Sequence, residues 1–323
     1  MPHHLRYQST SWATHHVVSR MIQGYAFLKP TEEITAIARG VLCYALERHK
    51  DTIKIHHHVF LSNHFHLLIS AEQTKDLASF MCHFKGNLAR ELARVHDWHG
   101  TLWRGRYSSE EVLDWDGYVE VFKYITQNSV KEGLVDHPSE WTGLHGYHQI
   151  TGSRSLRGEW LNRTSLYHAR ARANASGEAV NTRDFVTTHL TELVHPPMWS
   201  ESEEEYWAIA QQLCEDAIKE AQSRRDRPAM GMARVLAQDV YRARFTKRGT
   251  RPLCRTKCVD RMKTFKELYF KFKVRFQEAS AALREAIAQG VESAPVCFPK
   301  EGVPLFGGYG FRSADAAINE SAT

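Results

Sequence analysis

Between residues 31 and 50 apolar side chains recur every three or four positions, at Ile34, Ile37, Val41, Leu42, Ala45 and Leu46, the spacing of one helical face. Thr31 ahead of Glu32 and Glu33 suits the start of that helix, since a hydroxyl can cap an orphan amide and acids favour the positive end. A second stripe, Phe80, Phe84, Leu88 and Leu92, predicts a helix from about Leu77 to Val95. A third, Tyr118, Val121, Phe122 and Ile125, predicts one from Trp115 to Asn128. Shorter runs rich in β-branched and aromatic residues lie between them and read as strands: Trp12 to Arg20, Ile53 to Phe60, His64 to Ser70, and a short one ending at Val112. Ser62-Asn63 is the turn of a hairpin. The order strand, helix, strand, strand, helix, strand, helix predicts an α+β fold, a ferredoxin-like or RRM-like antiparallel sheet with helices on one side.

Beyond Trp141 the pattern changes. Residues 151–181 mix Gly, Ser, Arg and Asn with few apolar positions and read as a connector. A strand over Arg183 to Val194, a helix over Ser202 to Arg225 and a long basic amphipathic helix over Val259 to Ala288 follow, then a tail rich in Pro, Gly and Ala from Pro295. At 323 residues the chain exceeds the usual single core, so the expected division is a first domain over 1–150, a connector over 151–181 and a mainly helical basic domain over 182–323.

Composition narrows the classes. No apolar run approaches the roughly 18 residues of a membrane span, and no apolar signal core follows the first residues, so a cytoplasmic location is expected. Six scattered cysteines suit reduced thiols better than a disulfide framework. Cys254 and Cys258 lack the common zinc spacing and a second pair. The net charge is +5, yet 18 Lys and Arg stand against 6 Asp and Glu between Ala221 and Glu285. Such a surface suits a polyanion such as nucleic acid, although solvated helices carry similar runs.

His64-Phe65-His66 carries the candidate chemistry. On a strand both imidazoles project to one face while Phe65 goes to the other, which makes a two-ligand metal platform; the same triplet also occurs as an ordinary satisfied polar pair. On the third helix Tyr124 and Asn128 are four residues apart and share a face. If that helix crosses the histidine strand, the Asn128 amide completes three protein ligands for a divalent ion with open positions for phosphate oxygens. Gln127 competes for that role. Tyr124 then stands beside the bound phosphate; a phenol ionises near pH 10 and needs help to act as a nucleophile, and no base is evident in the sequence.

Asn63-His64-Phe65-His66 and the run from Tyr124 through Asn128 to Val135, followed by Pro138 and Trp141, resemble the REP-associated tyrosine transposases of the single-tyrosine HUH superfamily, across roughly Tyr7 to Gly146. Ser62 and Ser129 stand where the family usually has proline; the second substitution removes a rigid helix stop. The resemblance implies His64, His66 and Asn128 as ligands of Mg²⁺ or Mn²⁺, and Tyr124 as the nucleophile. It also implies cleavage of single-stranded DNA near hairpins of repetitive palindromic elements through a 5′-phosphotyrosine, with strand transfer and no ATP. Arg20, Lys85, Arg90, Arg104 and Arg106 are then candidate phosphate contacts, Trp103 and Tyr107 candidate stacking surfaces, and Arg248 and Arg251 part of a DNA-holding basic segment. A monomer or a homodimer fits, as does a bacterial protein at the nucleoid when bound to DNA. Two alternatives stay open: a hairpin-binding module without turnover, and a hydrolytic nuclease in which water attacks.

Overall fold

The computed structural model describes residues 5–176, 179–243, 252–289, 296–299 and 301. Its first part runs β1 (Ala13–Arg20), α1 (Glu32–Arg48), β2 (Ile53–Leu61), β3 (His64–Ala71), α2 (Thr74–Val95), β4 (Ser108–Val112) and α3 (Trp115–Thr126). Side chains set several of these boundaries: Thr31 Oγ1 accepts from the Ile34 amide, and Asp114 Oδ1 from the Gly117 amide. Short helices α4 (Asn128–Lys131) and α5 (Tyr147–Ile150) follow.

The later elements are β5 (Ser155–Leu161), α6 (Arg163–Ser176), β6 (Val186–Glu192), α7 (Glu203–Ser223), α8 (Met232–Leu236), β7 (Cys254–Arg255) and α9 (Val259–Ala288). The stretch 151–181, expected as a connector, thus holds β5 and α6, and β5 pairs with β6 in a second, two-stranded sheet. Two glycines explain how this hairpin seats on α1. A Cβ on Gly40 would stand 1.9 Å from the Glu159 carbonyl oxygen, and one on Gly158 would stand 2.7 Å from the Arg39 carbonyl oxygen. The two backbones touch where neither residue has a side chain.

The main sheet has the order β2-β3-β1-β4-β7. Its first four strands are antiparallel in the expected ferredoxin-like arrangement, and β7 adds a parallel edge to β4, making the sheet mixed. Register fixes the faces. Val18 lies opposite His66, and Arg20 opposite His64, while His16 lies opposite Glu110; all five polar groups therefore share one face. Phe65 points to the other, against Phe84 of α2 at a ring distance of 5.4 Å. α1 and α2 cover that apolar face. Contrary to helices on one side only, α3 crosses the polar face, with Phe122 against His57 and Tyr124 against His66. A bulge between Ile55 and His57 turns two consecutive histidines to the α3 side, where His56 meets Tyr118.

α7 packs outside α3. The Tyr118 and Tyr206 hydroxyls are 2.6 Å apart in a buried pair, and Cys214 lies against Thr126. Tyr206, Trp207, Ala210, Cys214 and Val235 belong to the same buried cluster as Phe65 and Phe122. A smaller cluster unites Phe265, Tyr269, Phe272 and Phe276 of α9 with Tyr7 and Phe298. No described helix is long and apolar enough to cross a membrane.

Candidate active site

The polar face of the sheet and the helix above it enclose a cleft of about 530 Å³. From β1 come His16 and Arg20, from β3 His66, from β4 Glu110, and from α3 Tyr124. Alternation along three neighbouring strands is what brings these side chains together. The His64 and His66 rings are 5.0 Å apart. Tyr124 is half-buried and meets His66 edge-on at 5.3 Å and His16 at 5.9 Å, and the Lys131 ammonium lies 4.8 Å over its ring.

The histidines are arranged as bases. Burial, reinforced by the Arg20 cation, holds the His64 imidazole down to about 3, so it is neutral at physiological pH. Its Nδ1 lies 2.6 Å from Asn63 Oδ1; an amide oxygen only accepts, so Nδ1 carries the hydrogen and Nε2 keeps its lone pair. His66 Nδ1 is 2.9 Å from His16 Nε2 in a buried contact, and the two rings stack 14° from parallel. His16 Nδ1 in turn stands 3.5 Å from the Glu110 carboxylate. Burial alone would push the Glu110 carboxyl up, but His16 and Arg255 outweigh it and hold the group below its ordinary range.

Without a proline after Asn128, α3 still ends at Thr126. Gln127 is its C-cap, and a separate turn begins at Asn128. The step puts the two amides in different places. Gln127 lines the cleft. Asn128 is 1% exposed, and neither its Oδ1 nor its Nδ2 has a hydrogen-bond partner among the described residues. Leaving a buried amide unsatisfied costs on the order of 1–3 kcal/mol, which a cation accepted at Oδ1 would offset. Among the described residues no three His, Cys, Asp or Glu side chains converge to hold a cation by themselves. The donor set of two imidazoles and an amide therefore fits an ion completed by substrate oxygens.

The DNA-contact candidates separate. Arg20 lines the cleft, and Arg104 is exposed, its amide bonded to the Arg20 carbonyl. Lys85, Arg90 and Trp103 lie on the α2 side. Trp103 is half-buried, packs edge-on against Phe65 and donates to the Lys85 carbonyl. The Lys85 ammonium donates to the Gly105 carbonyl and lies 4.8 Å over the Trp103 ring; burial pulls it down to about 8. Arg90 donates to Asn87. Arg106 is half-buried, and Tyr107 is buried under the Arg6 guanidinium. Arg248 and Arg251 lie outside the described residues.

Sequence reasoning missed three contributors, His16, Glu110 and Arg224, and placed Arg255 only in the basic DNA-holding segment. His16 shares its strand parity with Arg20, a signal present in the sequence. Arg224 and Arg255 come from 100 residues and more away, and only the tertiary fold brings them to the cleft.

Part of the chain is similar to a known family. Residues 13–128 match the family described as IS200-like transposase. A comparison with curated proteins gives no match. Among solved structures, one described as a REP-associated tyrosine transposase bound to a REP hairpin aligns at 19% identity and a TM-score of 0.38, covering 46% of this chain and 85% of that one. A protein of Deinococcus radiodurans described as a transposase aligns at 16% identity and a TM-score of 0.28, covering 36% and 92%. The residues matched by the family begin with β1 and end at Asn128, taking in His16, both β3 histidines, Glu110 and the tyrosine of α3.

Proposed function

We propose that the chain is a DNA transposase that nicks and rejoins single-stranded DNA beside hairpins, with Tyr124 as its nucleophile. The observation that carries this reading is the placement of the Tyr124 ring against His66 and His16 at a cleft whose rim includes Arg20, Arg224, Arg255 and Lys257. A phosphodiester in such a cleft meets cations on several sides and a phenol along one wall. His64, His66 and Asn128 would hold Mg²⁺ or Mn²⁺, with Gln127 the competing amide. The ion would polarise the scissile phosphate and stabilise the departing oxygen.

The chain's own groups then do the rest. Tyr124 Oη attacks phosphorus, the bond to the 3′ oxygen breaks, and the 5′ end remains on the enzyme as a phosphotyrosine. The phenolic proton passes to solvent as the new bond forms, and the departing 3′ oxygen takes one from solvent. Attack by another 3′-hydroxyl reverses the step and joins strands, so bond energy is conserved and no nucleotide is consumed. The half-buried position of Tyr124 and its packing against Lys131 restrict the ring to one approach, a positioning contribution.

The test incubates the full chain and Tyr124→Phe with 5′- and 3′-labelled hairpin DNA, with and without Mn²⁺. A denaturation-resistant adduct on the 5′ side of the break, formed only with Mn²⁺ and Tyr124, is the expected result. Mn²⁺-dependent cleavage without adduct in both proteins moves the attack to water. Binding without cleavage makes the chain a hairpin-holding module.

A further inference from the structure

Three contacts link the second half of the chain to the candidate ligand His66. Arg255, on β7, donates from Nε to Glu110 Oε2 at 2.6 Å. The same carboxylate oxygen stands 3.5 Å from His16 Nδ1, and His16 Nε2 stands 2.9 Å from His66 Nδ1. Arg255 itself is anchored from three sides. Its carbonyl accepts from the Leu113 amide at 3.0 Å, its Nη1 reaches Glu120 at 3.3 Å, and the adjacent Thr256 hydroxyl donates to Asp114. Gly117 permits this approach, since a Cβ there would lie 2.5 Å from the Arg255 carbonyl oxygen.

Hydrogen-bond chemistry gives the chain of contacts a direction. The Glu110 carboxylate only accepts, and at 3.5 Å, longer than a hydrogen bond, its charge favours a hydrogen on the facing His16 Nδ1. In neutral His16 the other nitrogen, Nε2, is then bare and accepts from His66 Nδ1–H. His66 is left with its lone pair on Nε2, the nitrogen beyond the relay. We propose that Arg255 is a positioning residue of the active site: through Glu110 and His16 it fixes the tautomer and ring orientation of His66 for metal binding. The segment that does this lies outside the family-matched residues 13–128, so the second half of the chain is part of the site. Outer-shell partners of metal-binding histidines commonly alter affinity by about 10- to 100-fold.

The inference rests on the metal reading of the preceding section, and the test separates the two. Full-length apo protein labelled with ¹⁵N-histidine is compared with Arg255→Ala, Arg255→Lys and Glu110→Gln by two-bond ¹H–¹⁵N correlation, His66 being assigned through His66→Gln. Mn²⁺ affinity is measured in parallel by calorimetry. The expected results are a Nδ1–H tautomer for His66 in the wild type and growth of the Nε2–H form in the Ala and Gln variants. Their Mn²⁺ Kd should rise about 10- to 100-fold, with partial rescue in Arg255→Lys, which keeps the charge if the Ala variant does not fold. An unchanged His66 tautomer together with a Kd within about twofold of wild type, in any variant that melts cooperatively, overturns the relay. A wild type that binds no Mn²⁺ overturns the metal reading, and the tautomer comparison still decides the relay.

Discussion

At the scale of single residues, the chain buries several imidazoles in their neutral form. Burial pushes His56 down to about 4 and His58 and His145 down to about 3. The unfolded chain takes up those protons near pH 6.5, whereas the folded chain resists until pH 4 or below. Stability is therefore full above about pH 6.5 and lost as pH falls through the window from 6.5 toward 3, by about 1.4 kcal/mol per pH unit for each proton bound only by the unfolded state. Urea melts at pH 7.5, 6.5 and 5.5 should show falling midpoints; a midpoint that stays level would contradict the buried neutral assignment. The shared face of His64 and His66 was legible because strand alternation acts over two residues, whereas Tyr124 and Asn128, expected on one helix face, fall on α3 and on the separate turn after it. His16 and Glu110 were not singled out, because their meeting depends on the β1–β4 register, which a local pattern does not specify.

Among elements, the periodic ones were the most legible. The long helix over Val259–Ala288 has the bounds its pattern predicts, and α3 ends within two residues of the expectation. The segment 151–181 misled because β5 and α6 carry little apolar content: β5 gets its stability from pairing with β6 and lying on α1, not from a buried stripe of its own. Gly40 and Gly158 are the contact that makes this possible. Gly158→Ala should separate strand from helix and destabilise the protein by about 1–3 kcal/mol, the usual cost of overpacking, read as a lower urea midpoint at unchanged m-value. The α3–α7 contact gives a second case. Tyr206→Phe leaves the buried Tyr118 hydroxyl without the partner it holds at 2.6 Å, and a loss of about 1–3 kcal/mol is expected by the same measurement.

For the molecule as a whole, charge and length pointed to a basic second half but said nothing of where it sits. α7 supplies Tyr206 and Cys214 to the cluster that holds α3 in place. A chain cut after residue 150 loses that cover over the tyrosine helix; it should melt without a cooperative transition and bind an apolar dye, as circular dichroism and fluorescence would show. The two-residue strand β7 has a consequence in time. It closes the β4 edge of the main sheet, and it is made only after the 141 residues that separate Val112 from Cys254. At roughly 5–20 residues per second, a nascent chain carries a bare β4 edge and a Glu110 without Arg255 for on the order of ten seconds. During synthesis, then, the tyrosine and both β3 histidines exist before Arg255 reaches Glu110, and the cleft is completed last.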